Sequence, residues 1–192
     1  MIATKINEEF PEHEIKEFSQ SLYIADYTHQ TKNDPVKRSV EVHVVKPTDI
    51  DAFVLSNDDM LDIGVVVYDK YSFVNEAGES QTQCECVVFP AQAEETSWVM
   101  FLELKYCEYR NAVKNLNKAK NQVCETHKYY KDKGIIGDKQ LAYLLVSLPK
   151  QTNTPFESFI VTQEELTQWR NENIIFRGVN MAKIKDQYLL DV

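Results

Sequence analysis

Two strand-like segments set close together constrain this chain more than any other feature. Gln83 to Phe89, closed by Pro90, and Trp98 to Tyr106 are separated only by a polar loop holding Glu94 and Glu95, so an antiparallel hairpin is the natural expectation. Side chains alternate faces along a strand. Glu103 and Lys105 therefore share a side with Val99 and Phe101, whereas Leu102 and Leu104 take the other. On the preceding strand the same alternation puts Glu85 with Val87 and Phe89, opposite Cys84 and Cys86. If the hairpin brings these faces together, two carboxylates and an ammonium converge.

The segments around the hairpin predict an α/β single domain spanning residues 1–192, with a mixed central sheet flanked by helices. Its 192 residues suffice for one sizeable core and are cramped for two. Pro11 followed by Ile15, Phe18, Leu22 and Ala25 predicts an amphipathic helix over residues 11–27, with Glu14 at the border of its apolar stripe and able to approach the core. Residues 28–80 read as strand-rich. Ser39 to Val45 alternates, Gly64 to Tyr68 is a short apolar run, and 57–59 and 75–80 have turn chemistry. Residues 111–131 carry Ala112, Leu116, Ala119 and Val123 on one stripe and predict a second helix stopped by Gly134. Leu141 to Leu148, ended by Pro149, suits a buried central strand. Thr162-Gln-Glu-Glu165 opens a short capped helix, and residues 174–190 supply one or two closing strands.

Carboxylates on one strand face with a lysine beside them suit metal-assisted phosphodiester hydrolysis. Carboxylate oxygens are hard ligands for Mg²⁺ or Mn²⁺, and such a cation polarises a phosphate and acidifies water. A lysine can orient or deprotonate that water and stabilise charge building on the phosphate. A Glu-x-Lys triplet alone is common by chance, and a surface strand bearing an ordinary Glu/Lys pair is the plain alternative.

The order of elements adds to the triplet. Cys84-Glu-Cys-Val-Val-Phe89, Phe101-Leu-Glu-Leu-Lys105 and the helical Asn117-Lys-Ala-Lys-Asn-Gln122 resemble the PD-(D/E)XK nuclease superfamily and its RecB-like members, over about residues 84–150. There an acid on one strand is followed by an apolar strand ending in Glu-x-Lys and a helix that often contributes a Gln. The resemblance implies a restriction-endonuclease-like fold and a DNA, alternatively RNA, substrate. It makes Glu85, Glu103 and Glu14 the ligands of Mg²⁺ or Mn²⁺, Lys105 the catalytic lysine beside Glu103, and Gln122 a supporting site residue. Lys114 and Lys118, one turn apart on the flank of Gln122, would meet phosphates. The chain departs from the pattern at its first acid, where Glu85 stands after Cys84 in place of a Pro-Asp pair. Members of the superfamily that bind without cutting make a silent interaction module the alternative.

Charge is compatible with a polyanion partner only through its distribution. The chain carries −9, yet residues 105–133 hold eight bases against three acids, a local +5, and the remainder sums to −14. A solvated helix face explains that stretch equally well. No run approaches the roughly 18 apolar residues of a membrane span, and the first residues lack the apolar core of a signal peptide, so no membrane association and a cytoplasmic location are expected. Four cysteines are too sparse for a disulfide scaffold. Cys84 with Cys86, and Cys124 with His127, make zinc conceivable without matching a familiar spacing. Neither a nucleophile elbow, a Walker loop nor a dinucleotide fingerprint can be built from five glycines. Self-association as a homodimer is left open.

Overall fold

The computed structural model describes residues 2–69, 72–74, 77–151 and 160–192. Along the chain run α1 (Ile2–Glu9), β1 (Lys16–Phe18), β2 (Leu22–Asp26), β3 (Val40–His43), β4 (Phe53–Ser56), β5 (Ile63–Val67), β6 (Cys86–Pro90) and β7 (Trp98–Leu104). A short 3₁₀ turn (Tyr109–Asn111) leads into α2 (Ala112–Asp132), followed by β8 (Leu141–Ser147), α3 (Gln163–Asn171), β9 (Ile174–Gly178), β10 (Met181–Ile184) and β11 (Leu190–Asp191). They form one α/β unit with two mixed sheets, ordered β1-β5-β6-β7-β8-β9 and β11-β10-β4-β2-β3.

The hairpin forms as its pattern requires, with β6 antiparallel to β7. The crossover through α2 then sets β8 parallel to β7, and β9 runs parallel to β8. Both faces of β7 are covered, which is why its residues are buried throughout. Val99 and Phe101 join one core with Leu116, Ala119 and Val123 of α2 and Ile2 and Ile6 of α1, while Leu166 and Trp169 of α3 pack against it. Met100, Leu102 and Leu104 join a second core with Leu22, Ile24, Phe53 and Leu55 of the five-stranded sheet. The layers are thus helices, sheet, sheet. The α/β class with a mixed sheet flanked by helices is as expected, and a second mixed sheet covers the far face.

The expected helix over 11–27 is not formed. The helix is α1, and it ends before Pro11; a proline biases the residue ahead of it away from helical geometry. Leu22 and Ile24 follow a period of two into the inter-sheet core, and β2 pairs with both β3 and β4. Those ladders override the helical stripe of Ile15, Phe18, Leu22 and Ala25, a local preference that tertiary pairing readily outweighs.

Elsewhere the local chemistry acts as read. In α2 the buried residues Ala112, Leu116, Ala119, Val123, Thr126 and Tyr130 recur at three and four. Gly134 stops the helix with φ +64°, a left-handed conformation that glycine adopts without strain. Thr162 and Glu165 form a reciprocal capping box on α3. Gly64 on β5 lets the Phe89 ring of β6 lie against its backbone, where a Cβ would stand 2.9 Å from that ring. Of the expected turn at 75–80, Asn75 and Glu76 lie outside the described residues. Among the described residues no helix is long and apolar enough to cross a membrane.

Candidate functional site

Where β6 meets β7 the ladder is irregular, and this irregularity places the first acid. Cys86 stands opposite Leu102, and the Glu85 amide also donates to the Leu102 carbonyl, 3.1 Å, so two residues of one strand oppose one of the other. Such a bulge breaks the alternation of faces. Cys84 accordingly joins the helix-side core and Cys86 the inter-sheet core, correcting the expectation that the two thiols share a face. With the ladder broken, the Leu104 amide finds a side chain instead: Glu85 Oε2 accepts from it at 3.0 Å.

Helix α2 holds the approach to the bulge. The Thr126 hydroxyl accepts from the Cys84 amide at 2.7 Å and donates to the Gln122 carbonyl, while Gln122 Nε2 donates to the Gln83 carbonyl at 2.9 Å. Gln122 therefore clamps the backbone leading into Glu85, and its buried Oε1 has no hydrogen-bond partner.

On β7, Glu103 is 0% exposed and its Oε1 accepts a hydrogen bond from the ammonium of Lys105, whose side chain is 15% exposed. The second oxygen, Oε2, is buried without a partner. A buried carboxylate oxygen left bare is costly, so it marks a place where a cation or proton belongs. Burial pushes the Glu103 carboxyl up to about 7 against the pull of Lys105, with Asp26 adding to the rise. Glu85 is also held well above the usual carboxylate range, first by burial and then by the charges of Glu103 and Asp26. Burial opposes the charge of Lys105, but Glu103 and Glu85 outweigh it and raise its pKa.

Asp26 was not legible as a site residue. It ends β2 in the other sheet, yet it acts electrostatically on Glu85, Glu103 and Lys105. Tyr106, the next residue after Lys105, ties the two sheets together there: its hydroxyl accepts from the Asp26 amide at 3.4 Å and donates to the Asp51 carbonyl at 2.6 Å. Asp26 and Tyr106 also line a cleft of about 670 Å³ with Asn111, Asn115 and Lys150, whereas Glu85, Glu103 and Lys105 are not among its lining residues. The signal was present as an acid closing the run Leu22-Tyr-Ile-Ala-Asp26, but it was masked by reading those residues as helix.

The remaining expected residues separate. Glu14 lies in the segment between α1 and β1 with its side chain 77% exposed, 3.9 Å from Lys16. It lines a different cleft, beside His13 and His43, and the missing helix is the reason it does not reach Glu103. Lys118 is exposed on α2 and its charge acts on Glu103, whereas Lys114 is exposed one turn away. Much of the basic stretch is neutralised in place, because Lys105, Lys120, Lys131 and Lys133 pair with Glu103, Glu165, Asp138 and Glu9. Within residues 105–133, Arg110, Lys114, Lys118 and Lys128 are the exposed cations that carry no ion pair among the described residues.

Among the described residues no group of three or more His, Cys, Asp or Glu side chains is arranged to hold a metal ion. The zinc alternative finds no support in the cysteines, which are free and divided between two cores. His127 packs edge-on against Phe101 with ring centroids 5.6 Å apart, and burial pushes its pKa down to about 4. The Glu85–Glu103 pair offers hard oxygens, one of them unpartnered, and this fits a cation such as Mg²⁺, which commonly takes one or two carboxylates and keeps water for the rest. Scans against protein-family models, curated proteins and solved structures find no match to this chain.

Proposed function

We propose that this chain is a Mg²⁺- or Mn²⁺-dependent nuclease that hydrolyses phosphodiester bonds of DNA, with RNA as the alternative substrate. The observation that carries the reading is the unpartnered buried oxygen of Glu103 in the company of Glu85 and Asp26, beside Lys105. The run β6, β7, α2 and parallel β8 supports it, since the PD-(D/E)XK superfamily, which the sequence resembles, places its acid, Glu-x-Lys and helix in that order. Glu85 and Glu103 would hold the cation, with Asp26 completing the negative field from the second sheet. When bound, the cation supplies polarisation of the phosphate and acidification of water.

The chain's own groups do the rest. Without substrate the Lys105 ammonium serves as counter-ion to Glu103. In a complex its charge is free to lie against the non-bridging oxygens of the scissile phosphate, where negative charge grows in the transition state. Lys118 and Lys114 meet flanking phosphates and fix the register of the strand without reading its sequence. Gln122 and Thr126 hold the segment that aims Glu85.

Incubating wild type and Lys105→Ala with single- and double-stranded DNA and with RNA in Mn²⁺ or Mg²⁺ tests the proposal. Cleavage by wild type and its loss in the variant are expected. No cleavage above the variant on any substrate removes the enzyme.

A second reading, a catalytically silent interaction module on the same scaffold, is favoured by one observation. Glu85 is engaged in capping the Leu104 amide, and Glu103 is closed against Lys105, as in a purely structural pair. Calorimetric titration with Mn²⁺ separates the readings. Binding abolished by Glu103→Ala supports the enzyme, and nucleic-acid binding without cation binding supports the module.

A further inference from the structure

We propose that β3 pairs with β3 of a second copy of this chain, joining two five-stranded sheets into one across a two-fold axis. The inference is independent of the nuclease reading. β3 ends the order β11-β10-β4-β2-β3, and among the described residues its only strand partner is β2. An edge strand presents a row of backbone donors and acceptors ready to pair. Here the residues that own that row can be deduced. The Tyr27 amide donates to the Ser39 carbonyl at 3.1 Å, which makes those two residues a hydrogen-bonded pair. In an antiparallel ladder such pairs alternate. Glu41 and His43, opposite Ala25 and Tyr23, therefore spend their backbone groups on β2, and those of Val40, Val42 and Val44 point to the open edge.

The side chains select the partner. Val40 and Val42 lean onto the inter-sheet core, which leaves Glu41 and His43 on the outer face. Antiparallel self-pairing with Val42 opposite its own copy sets each Glu41 against the partner's His43, and each Val40 against the partner's Val44. Sliding by two residues, the smallest shift that keeps like faces together, sets Glu41 against Glu41, where like charges are unfavourable, or His43 against His43, where each Glu41 faces the partner's Val45 in place of an imidazole. The sequence Val40-Glu-Val-His-Val44 is thus complementary to itself in a single register. Glu41 already stands 3.6 Å from His43 of its own strand and is gripped by Arg38, so pairing would extend an ordered polar row. Val44 at 49% and Val45 at 75% exposure lie at the end of the strand and are uncovered in one copy. The register forms about six backbone hydrogen bonds. A contact built on one short strand falls at the small end of specific interfaces, so its dissociation constant should be on the order of tens of micromolar.

Sedimentation equilibrium of the whole chain, from low micromolar to near-millimolar concentration, tests this. A monomer–dimer equilibrium is expected for wild type. His43→Glu should weaken it roughly tenfold, because both cross-strand pairs become repulsive, while His43→Lys keeps or strengthens it. Val42→Pro removes an amide that points only outward, so it should abolish the dimer while leaving the β2–β3 ladder and the circular dichroism spectrum intact. A monomer at every concentration overturns the proposal. So does a dimer that is equally tight in His43→Glu and His43→Lys, or that survives Val42→Pro in a folded protein.

Discussion

Replacing Glu103 by Gln examines the site through stability alone, without requiring that a substrate be known. In an unfolded chain this carboxyl would release its proton near its ordinary 4.5, whereas in the folded protein it does so near 7. Between those values the folded state binds the extra proton. The stability that the carboxyl contributes is therefore fully present below about 4.5 and is lost as pH rises through 7. A gap of about 2.5 pH units at 1.36 kcal/mol each amounts to a loss of about 3 kcal/mol by pH 8. For a chain of this size that lowers Tm by roughly 6–12 °C. Glu103→Gln should reduce the slope of this part of the profile, leaving the part due to Glu85, whose carboxyl burial also holds well above its ordinary range. Adding Mn²⁺ at a hundred times its Kd should restore about 2.7 kcal/mol to wild type at pH 8 and nothing to the variant. Thermal and urea melts in chelator between pH 5 and 8, repeated with Mn²⁺, read both effects. A wild-type profile flat over this range, or a variant with the same slope, refutes the claim that Glu103 is a strained buried acid awaiting a cation.

Other substitutions probe the surroundings. Asp26→Asn relieves Glu85 and Glu103 of a neighbouring charge, so it should raise stability at pH 8 while weakening Mn²⁺ binding in calorimetry. Thr126→Val leaves the buried Cys84 amide without its acceptor and should cost about 1–3 kcal/mol in urea melts; it should also weaken Mn²⁺ binding, since the segment entering Glu85 loses its anchor. Phe101→Ala empties a site packed against His127 and Tyr130 and should cost about 3–5 kcal/mol. Gly134→Ala forces a side chain into φ +64° and should cost about 1–2 kcal/mol, with the loss reported by melts at constant pH.

The residues that were legible in advance share a physical trait: their structure is decided by neighbours in sequence. The α2 stripe, its stop at Gly134, the capping box of Thr162 and Glu165 and the apolar run of β8 each depend on local periodicity or on one turn of chain. The hairpin belongs with them, because a short loop joins its strands, and with it came Glu103 and Lys105 on one face. What stayed hidden depends on contacts distant in the chain. Residues 22–26 carry an acceptable helical stripe and become a strand only because β3 and β4 arrive to pair with it. That one difference removes Glu14 from the site and brings in Asp26. The bulge at Glu85 is likewise invisible in an alternating pattern, since it arises where Leu102 must serve two residues at once. By itself the sequence determined the Glu-x-Lys strand and the helix behind it, because pattern and propensity act over a few residues. Only the tertiary structure decided which acids surround that strand, because charges from separate sheets meet through packing that no local pattern encodes.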